Sequence, residues 1–424
     1  MLKVIKIDQK PARIALVVIA VVCLVVMWFF VRWHFANTIA SRLDADRPES
    51  RLVADWLIGV APHDPQTHFA AATIFERTFD EGDLERSLAE YETAAGLSPE
   101  DFRLWLHIAR SRTQLGDAVG AEAAFRRAAE LAPNYTAVHW AFGNFLVRQG
   151  SVDAGFALMA RAADKNPDYA RAGVITAMEL FEGDVEQTRR ALGDSDAANA
   201  ALALHLAAAK RFAESAETWS RVPASARDHK TLGEKLYAQF IEAKQYRAAA
   251  LVFADMQGEG SRPAGGQIAN GDFEAQVKLR GAGLFEWNIS EGVHPQIGLN
   301  ESQKRSGRYS LILAFDSFES AAYRNLLQTV PVEPGATYEF EGFYRFDLKS
   351  TAKFKWEIVD PVAGVIAATE PLALAGDWTT LRAKFTVSAA SDGIVLRFTR
   401  EGCSGPTCPT SGRIFFDDFS IRKL

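Results

Sequence analysis

Cysteine is nearly missing from this chain. There are three in 424 residues, and two of them, Cys403 and Cys408, stand with four residues between them. So few cysteines exclude a small scaffold framed by disulfides. A zinc site at that pair would need two more ligands, and no histidine follows His294. Catalytic signatures are missing too: there is no Gly-x-Ser-x-Gly elbow, no His-Glu-x-x-His and no phosphate loop. The eight histidines are scattered, and neither half sets two carboxylates in a glycosidase-like context. The chain is therefore expected not to be an enzyme. A basic excess is also lacking: 47 Lys and Arg against 53 Asp and Glu leave a formal charge of −6, which argues against a nucleic-acid partner.

One long apolar run is present, "IALVVIAVVCLVVMWFFV" from Ile14 to Val31. As a helix it spans about 27 Å, close to the hydrocarbon thickness of a bilayer. Arg13 and Arg32 flank it, and Trp28 and Trp33 suit the interfacial belt. Lys3, Lys6, Lys10 and Arg13 precede it against a lone Asp8. The positive-inside rule then predicts a cytoplasmic tail over 1–13, an anchor over 14–33 and all later residues on the far side. A cleaved signal peptide is the competing reading, although its core would be unusually long and Thr38 and Ala40 make a poor cleavage site. Beyond the membrane, in an oxidising compartment, Cys403 and Cys408 are predicted to form a structural disulfide. So short a loop contributes about 2 kcal/mol; a reduced, incidental pair is the alternative.

The composition shifts midway. Residues 50–256 are rich in Ala, Leu, Arg and Glu, and later residues in Phe, Gly, Thr and Val. In the first half Pro99, Pro133 and Pro167 recur every 34 residues, and so do Gly82, Gly116 and Gly150. Amphipathic helices fill the intervals, with Gly in the turn and Pro after the second helix. This pattern resembles the tetratricopeptide repeat (TPR) family over 68–101, 102–135 and 136–169, with Trp105, Ala121, Phe125, Ala128 and Pro133 at motif positions. Gly155 and Met159 occupy the small and aromatic positions of the third unit, and degenerate pairs follow to residue 256. The resemblance implies an all-α solenoid whose groove presents Glu76, Arg103, Arg110, Trp140, Asn144 and Arg148. Those arginines suit an acidic or C-terminal carboxylate segment of a partner protein. The alternative makes them solvated helix faces with Trp140 packed on a neighbour.

Residues 257–267, "QGEGSRPAGGQ", read as a linker. From 268 to 424 the period becomes alternating, and strands are predicted at 309–315, 337–346, 353–359, 378–387, 393–400 and 413–421. Eight or nine short strands without helices predict an all-β jelly-roll sandwich. "NGDFE", "EWNI", "SGRYSLIL", "VEPGATYEFEGFYR", "GDWTTLRAKFTV" and "FFDDFSI", in that order, resemble carbohydrate-binding modules of the family 4 and 9 type. The resemblance implies one structural Ca²⁺ where the first and last strands meet, with Glu274 and Asp418, and Asp272 or Asp417, at the matching positions. The alternative makes these turn and edge carboxylates. No other cofactor is expected. Aromatic platforms for sugar would come from Trp356, Tyr344, Tyr309 and Tyr323, but alternation sets Trp356 beside Phe354 and Ile358, on the side that builds a core.

Together the chain reads as a multidomain protein: N-terminal transmembrane helix, TPR solenoid, then jelly roll. This architecture resembles proteins that accompany bacterial exopolysaccharide assembly and export. The resemblance implies an inner-membrane scaffold facing the periplasm, recruiting envelope proteins through the groove. The alternative is a glycan-binding protein whose jelly roll holds a polysaccharide; a minor one is an unrecognised carbohydrate-active enzyme.

Overall fold

The computed structural model describes residues 10–44, 49–78, 80–226, 229–257, 266–319, 323–403 and 405–424. The chain forms two compact units, Met1–Gly193 and Asp194–Leu424. Most of the linker read over 257–267 lies outside the described residues, as do Lys3, Lys6 and Asp8 of the basic tail.

The first unit opens with α1 (Lys10–Ala40), a helix long and apolar enough to be a membrane span or a signal sequence. Its last turns are docked: Ala36 and Ala40 are buried against Leu57, Ala61 and Ala70. Among the described residues nine helices follow: α2 (Ser50–Val60), α3 (Pro65–Thr78), α4 (Asp83–Leu97), α5 (Phe102–Gln114), α6 (Ala118–Leu131), α7 (Thr136–Arg148), α8 (Val152–Lys165), α9 (Pro167–Leu180) and α10 (Val185–Leu192). The 34-residue period has a backbone cause. Gly82, Gly116 and Gly150 take φ of 81°, 82° and 83°, a left-handed turn that side chains disfavour. Asp101 and Asp117 cap α5 and α6 by accepting from the amides of Arg103 and Gly120. Tyr91, Ala94, Ala121, Phe125 and Ala128 form one buried stripe between neighbouring helices.

One titratable group is built into this stack. His68 is buried, with Nδ1 on Glu90 and Nε2 3.0 Å from the carbonyl oxygen of Pro62. The Glu90 hydrogen bond raises its pKa above the ordinary value, against the opposing effect of burial. A raised folded-state pKa contributes stability fully below the unfolded value of about 6.5 and loses it as pH rises through the folded value. Thermal unfolding followed by circular dichroism should therefore show stability falling from about pH 6.5 upward. His68→Gln should flatten that slope; an unchanged slope would remove His68 as its source.

The second unit begins with α11 (Asp196–Ala208), α12 (Phe212–Trp219), α13 (His229–Glu242) and α14 (Tyr246–Gln257). Here Lys210 and Lys244, at φ of 60° and 57°, take the left-handed turn that glycine takes upstream. The sandwich follows: β1 (Asn288–Ile289), β2 (Gln296–Asn300), β3 (Ser310–Glu319), β4 (Leu326–Pro331), β5 (Thr337–Ser350), β6 (Lys353–Asp360), β7 (Gly364–Ala368), β8 (Ala375–Thr386), β9 (Gly393–Glu401) and β10 (Thr407–Lys423). One sheet has the order β1-β4-β9-β6-β7, the other β2-β3-β10-β5-β8, and all pairs are antiparallel. Between them lies an aromatic core that includes Trp287, Phe340, Phe354, Trp356, Phe398, Phe416 and Phe419. Cys403, before β10, is joined in a disulfide to Cys408, the second residue of β10; the sequence predicts this pair.

The helices of this unit are fastened to the sandwich. Asp392, in the turn before β9, accepts from the amides of Tyr246 and Arg247 at 2.8 and 3.0 Å and so caps the start of α14. Phe285 packs against Tyr237 and Phe253.

Candidate functional site

A cavity of about 710 Å³ opens at the β1 edge of the first sheet. Its walls are the segments 278–282 and 288–293 together with Arg324. The segments are held by local bonds. The ammonium of Lys278 donates to both oxygens of Glu286 at 2.8 and 2.9 Å, and Glu286 also accepts from the amide of Gly283. Burial raises the Glu286 pKa, but the Lys278 and Gly283 hydrogen bonds outweigh it and the net shift is downward. On the other wall, Ser290 and Asn325 exchange backbone and hydroxyl bonds at 2.9 and 2.7 Å. Arg324 Nε donates to the carbonyl of Ser290 at 3.3 Å, which turns its guanidinium along the wall. Arg280 is exposed on the opposite side. With Lys278 neutralised by Glu286, Arg280 and Arg324 against Glu291 leave the lining with a net positive charge in an acidic chain. Guanidinium groups bond carboxylates in pairs, which suits an anionic ligand. Sequence reasoning missed this site because its residues come from irregular segments with no motif.

The expected sugar platforms lie elsewhere, and not together. Trp356 is fully buried at the centre of the core and Tyr344 is buried beside it, so neither offers a ring face to a ligand. That corrects their assignment as platforms; the alternation Phe354-Trp356-Ile358 already pointed inward. Tyr323 packs 6.4 Å from Phe354 beneath the Arg400 guanidinium, and burial pushes its phenol pKa up. Tyr309, half-buried, stands just before β3 under Arg308. The outward side of β6 and β9 is charged instead: Arg397 pairs with Glu357 at 2.7 Å, and Lys355 with Glu401 at 2.5 Å.

The four carboxylates expected around calcium hold polypeptide donors. Glu274 Oε1 accepts from the amides of Arg308 and Tyr309 at 2.8 and 3.0 Å. Asp417 accepts from the amides of Arg305, Ser306 and Asp418. Asp418 takes the Arg305 guanidinium and the Ser306 hydroxyl, while Asp272 accepts from the Glu274 amide. Among the described residues no three His, Cys, Asp or Glu side chains converge as a metal group. In this arrangement Arg305 and these amides occupy carboxylate oxygens that a divalent ion would take. The termini are stapled through the 305–309 segment.

In the first unit, Glu76 accepts from the Tyr91 hydroxyl at 2.8 Å and lies 3.7 Å from His107 Nδ1, whose proximity is the main reason its pKa is lowered. Arg110, exposed, adds to that effect. Trp140 stacks on Tyr169 at 5.0 Å, and Asn144 donates to the Trp140 carbonyl. Arg103 is bound to Asp101, and Arg148 is exposed. Glu76 and Arg110 thus come together, with His107 as a member that the sequence reading did not assign.

Residues 265–408 match the carbohydrate binding domain family. No curated protein matches the chain. Among solved structures it is similar to a CBM4 module at 16% identity, over 37% of this chain and 99% of that one, with a TM-score of 0.28. It is also similar to TmCBM61, solved with β-1,4-galactotriose, at 16% identity over 37% and 96%, with a TM-score of 0.27. MamA from Desulfovibrio magneticus RS-1 is similar at 13% identity over 38% and 90%, with a TM-score of 0.32. The C-terminal sandwich is a jelly-roll domain of the carbohydrate-binding kind.

Proposed function

We propose that this protein is a membrane-anchored glycan-binding protein that holds an acidic polysaccharide in the β1-edge cavity and does no chemistry of its own. α1 anchors it with the N-terminus in the cytoplasm, the body faces the periplasm, and the helical repeat recruits envelope proteins for polysaccharide assembly or export. One observation carries the reading: Lys278, Arg280 and Arg324 line the cavity of a domain matching the carbohydrate-binding family. A second reading, a scaffold whose sandwich docks a protein, is favoured by the charged outward side of β6 and β9.

Titration calorimetry of the full chain in detergent, against oligogalacturonate and neutral galacto-oligosaccharides of equal length, separates the two. Saturable binding of the acidic series is expected, weakened at least about tenfold by Arg280→Glu, roughly 1.4 kcal/mol in binding free energy. Equal binding of the neutral series would sink the acidic specificity. No binding of either, by a folded chain, would move the weight to the scaffold.

A further inference from the structure

Among the described residues, α2 leaves one side largely exposed. Leu52 and Trp56, one helical turn apart, are 73% and 49% exposed. The two charged residues of the same helix turn toward the repeat instead: Arg51 pairs with Asp80 and Asp83 at 2.6 and 2.7 Å, and Asp55 with Arg86. Ala54 and Leu57 face the core. What remains is an apolar stripe beside α1. Arg32, which ends the apolar run, donates to the carbonyl of Val60 at 2.8 Å, and Asn37 bonds Asp64 at 3.2 Å. The end of α2 is thereby tied to the level where α1 leaves the hydrocarbon. Trp56 meets the ring of Phe35 edge-on, with centroids 6.2 Å apart. Phe35 lies about 6 Å beyond Val31 along the helix axis, within an interfacial layer some 5–8 Å deep. Phe35 and Trp33 are themselves about half exposed.

We infer that the end of α2 is an interfacial segment, with Trp56 and the exposed Gly59 seated in the headgroup layer of the bilayer that α1 crosses. This rests on the reading of α1 as an anchor. Tryptophan favours that depth, because its ring is apolar and its N–H is polar. The repeat would then leave the membrane on a docked helix pair rather than on a free tether, so its first helices are held close to the lipid surface.

The test uses the full chain with Cys23→Ala, reconstituted in phosphatidylcholine–phosphatidylglycerol vesicles. A nitroxide is placed in turn at Gly59→Cys, whose Cβ position meets open space, at Val22→Cys inside α1 and at Val119→Cys on exposed α6. Accessibility to oxygen relative to a water-soluble nickel chelate is read by electron paramagnetic resonance. The ratio at position 59 should be several-fold above that at 119 and below that at 22. A ratio at 59 equal to that at 119 would overturn the inference while leaving the anchor intact. A label shielded from both reagents would overturn it in favour of a protein contact. A label at 22 that behaves like the one at 119 would fail the anchor, and the inference with it.

Discussion

Trp356→Ala is expected to destabilise the sandwich by about 3–5 kcal/mol, within the range for large aromatic truncations in a core. The indole is fully buried and meets Trp287, Phe340, Phe398, Phe416 and Phe419 at centroid distances of 5.0 to 6.1 Å. Those rings belong to both sheets and to the segment before β1, so the cavity left behind cannot close by moving one side chain. Trp356→Phe keeps a ring in place and should cost clearly less. Denaturant unfolding of both variants checks this, read through far-ultraviolet circular dichroism. A loss below about 1 kcal/mol for the alanine variant would show that the core is not organised around this residue. The result also bears on function. A lost glycan response in Trp356→Ala would report unfolding rather than a missing platform, so Arg280 is the sounder probe.

Gly155→Ala should cost about 1–3 kcal/mol, the range for overpacking a tight contact, although alanine is the better helix former. α7 and α8 approach so closely here that a Cβ on Gly155 would lie 2.7 Å from the carbonyl oxygen of Gly143 and 2.9 Å from the amide nitrogen of Val147. Both are backbone atoms, so the helices must part. Gly143 mirrors the contact, since its Cβ would meet the carbonyl of Gly155 at 2.7 Å. The double variant should therefore lose less than the sum of the two single losses, because one separation relieves both clashes. Gly59, with open space around its Cβ position, is the control: Gly59→Ala should be neutral or mildly stabilising. Thermal unfolding of the full chain measures all four. An unchanged melting temperature for Gly155→Ala would show that the helices separate freely.

Much of the architecture was legible because it repeats or alternates. The left-handed turns at Gly82, Gly116 and Gly150 announce themselves, since glycine is the residue that adopts them without strain. The same turn at Lys210 and Lys244 was hidden, which is why the later pairs read as degenerate. The six long strands follow their alternation. β1, β2, β4 and β7 were missed because they are short and, as in "LLQTVP", lack a clean period. The candidate cavity was illegible: Lys278 and Arg280 carry no motif, and Arg324 joins them only because β1 and β4 pair.

By itself the sequence determined the apolar helix, the repeat period and the strand alternation, since each follows from neighbours along the chain. The tertiary structure alone decided which surfaces remain free. It sent Trp356 and Tyr344 into the core and turned Asp417 and Asp418 onto the 305–309 segment. It also drew Asp392 under α14 and gathered the arginines at the β1 edge. The physical reason is that burial and charge pairing depend on what packs opposite a residue, and those partners come from distant segments.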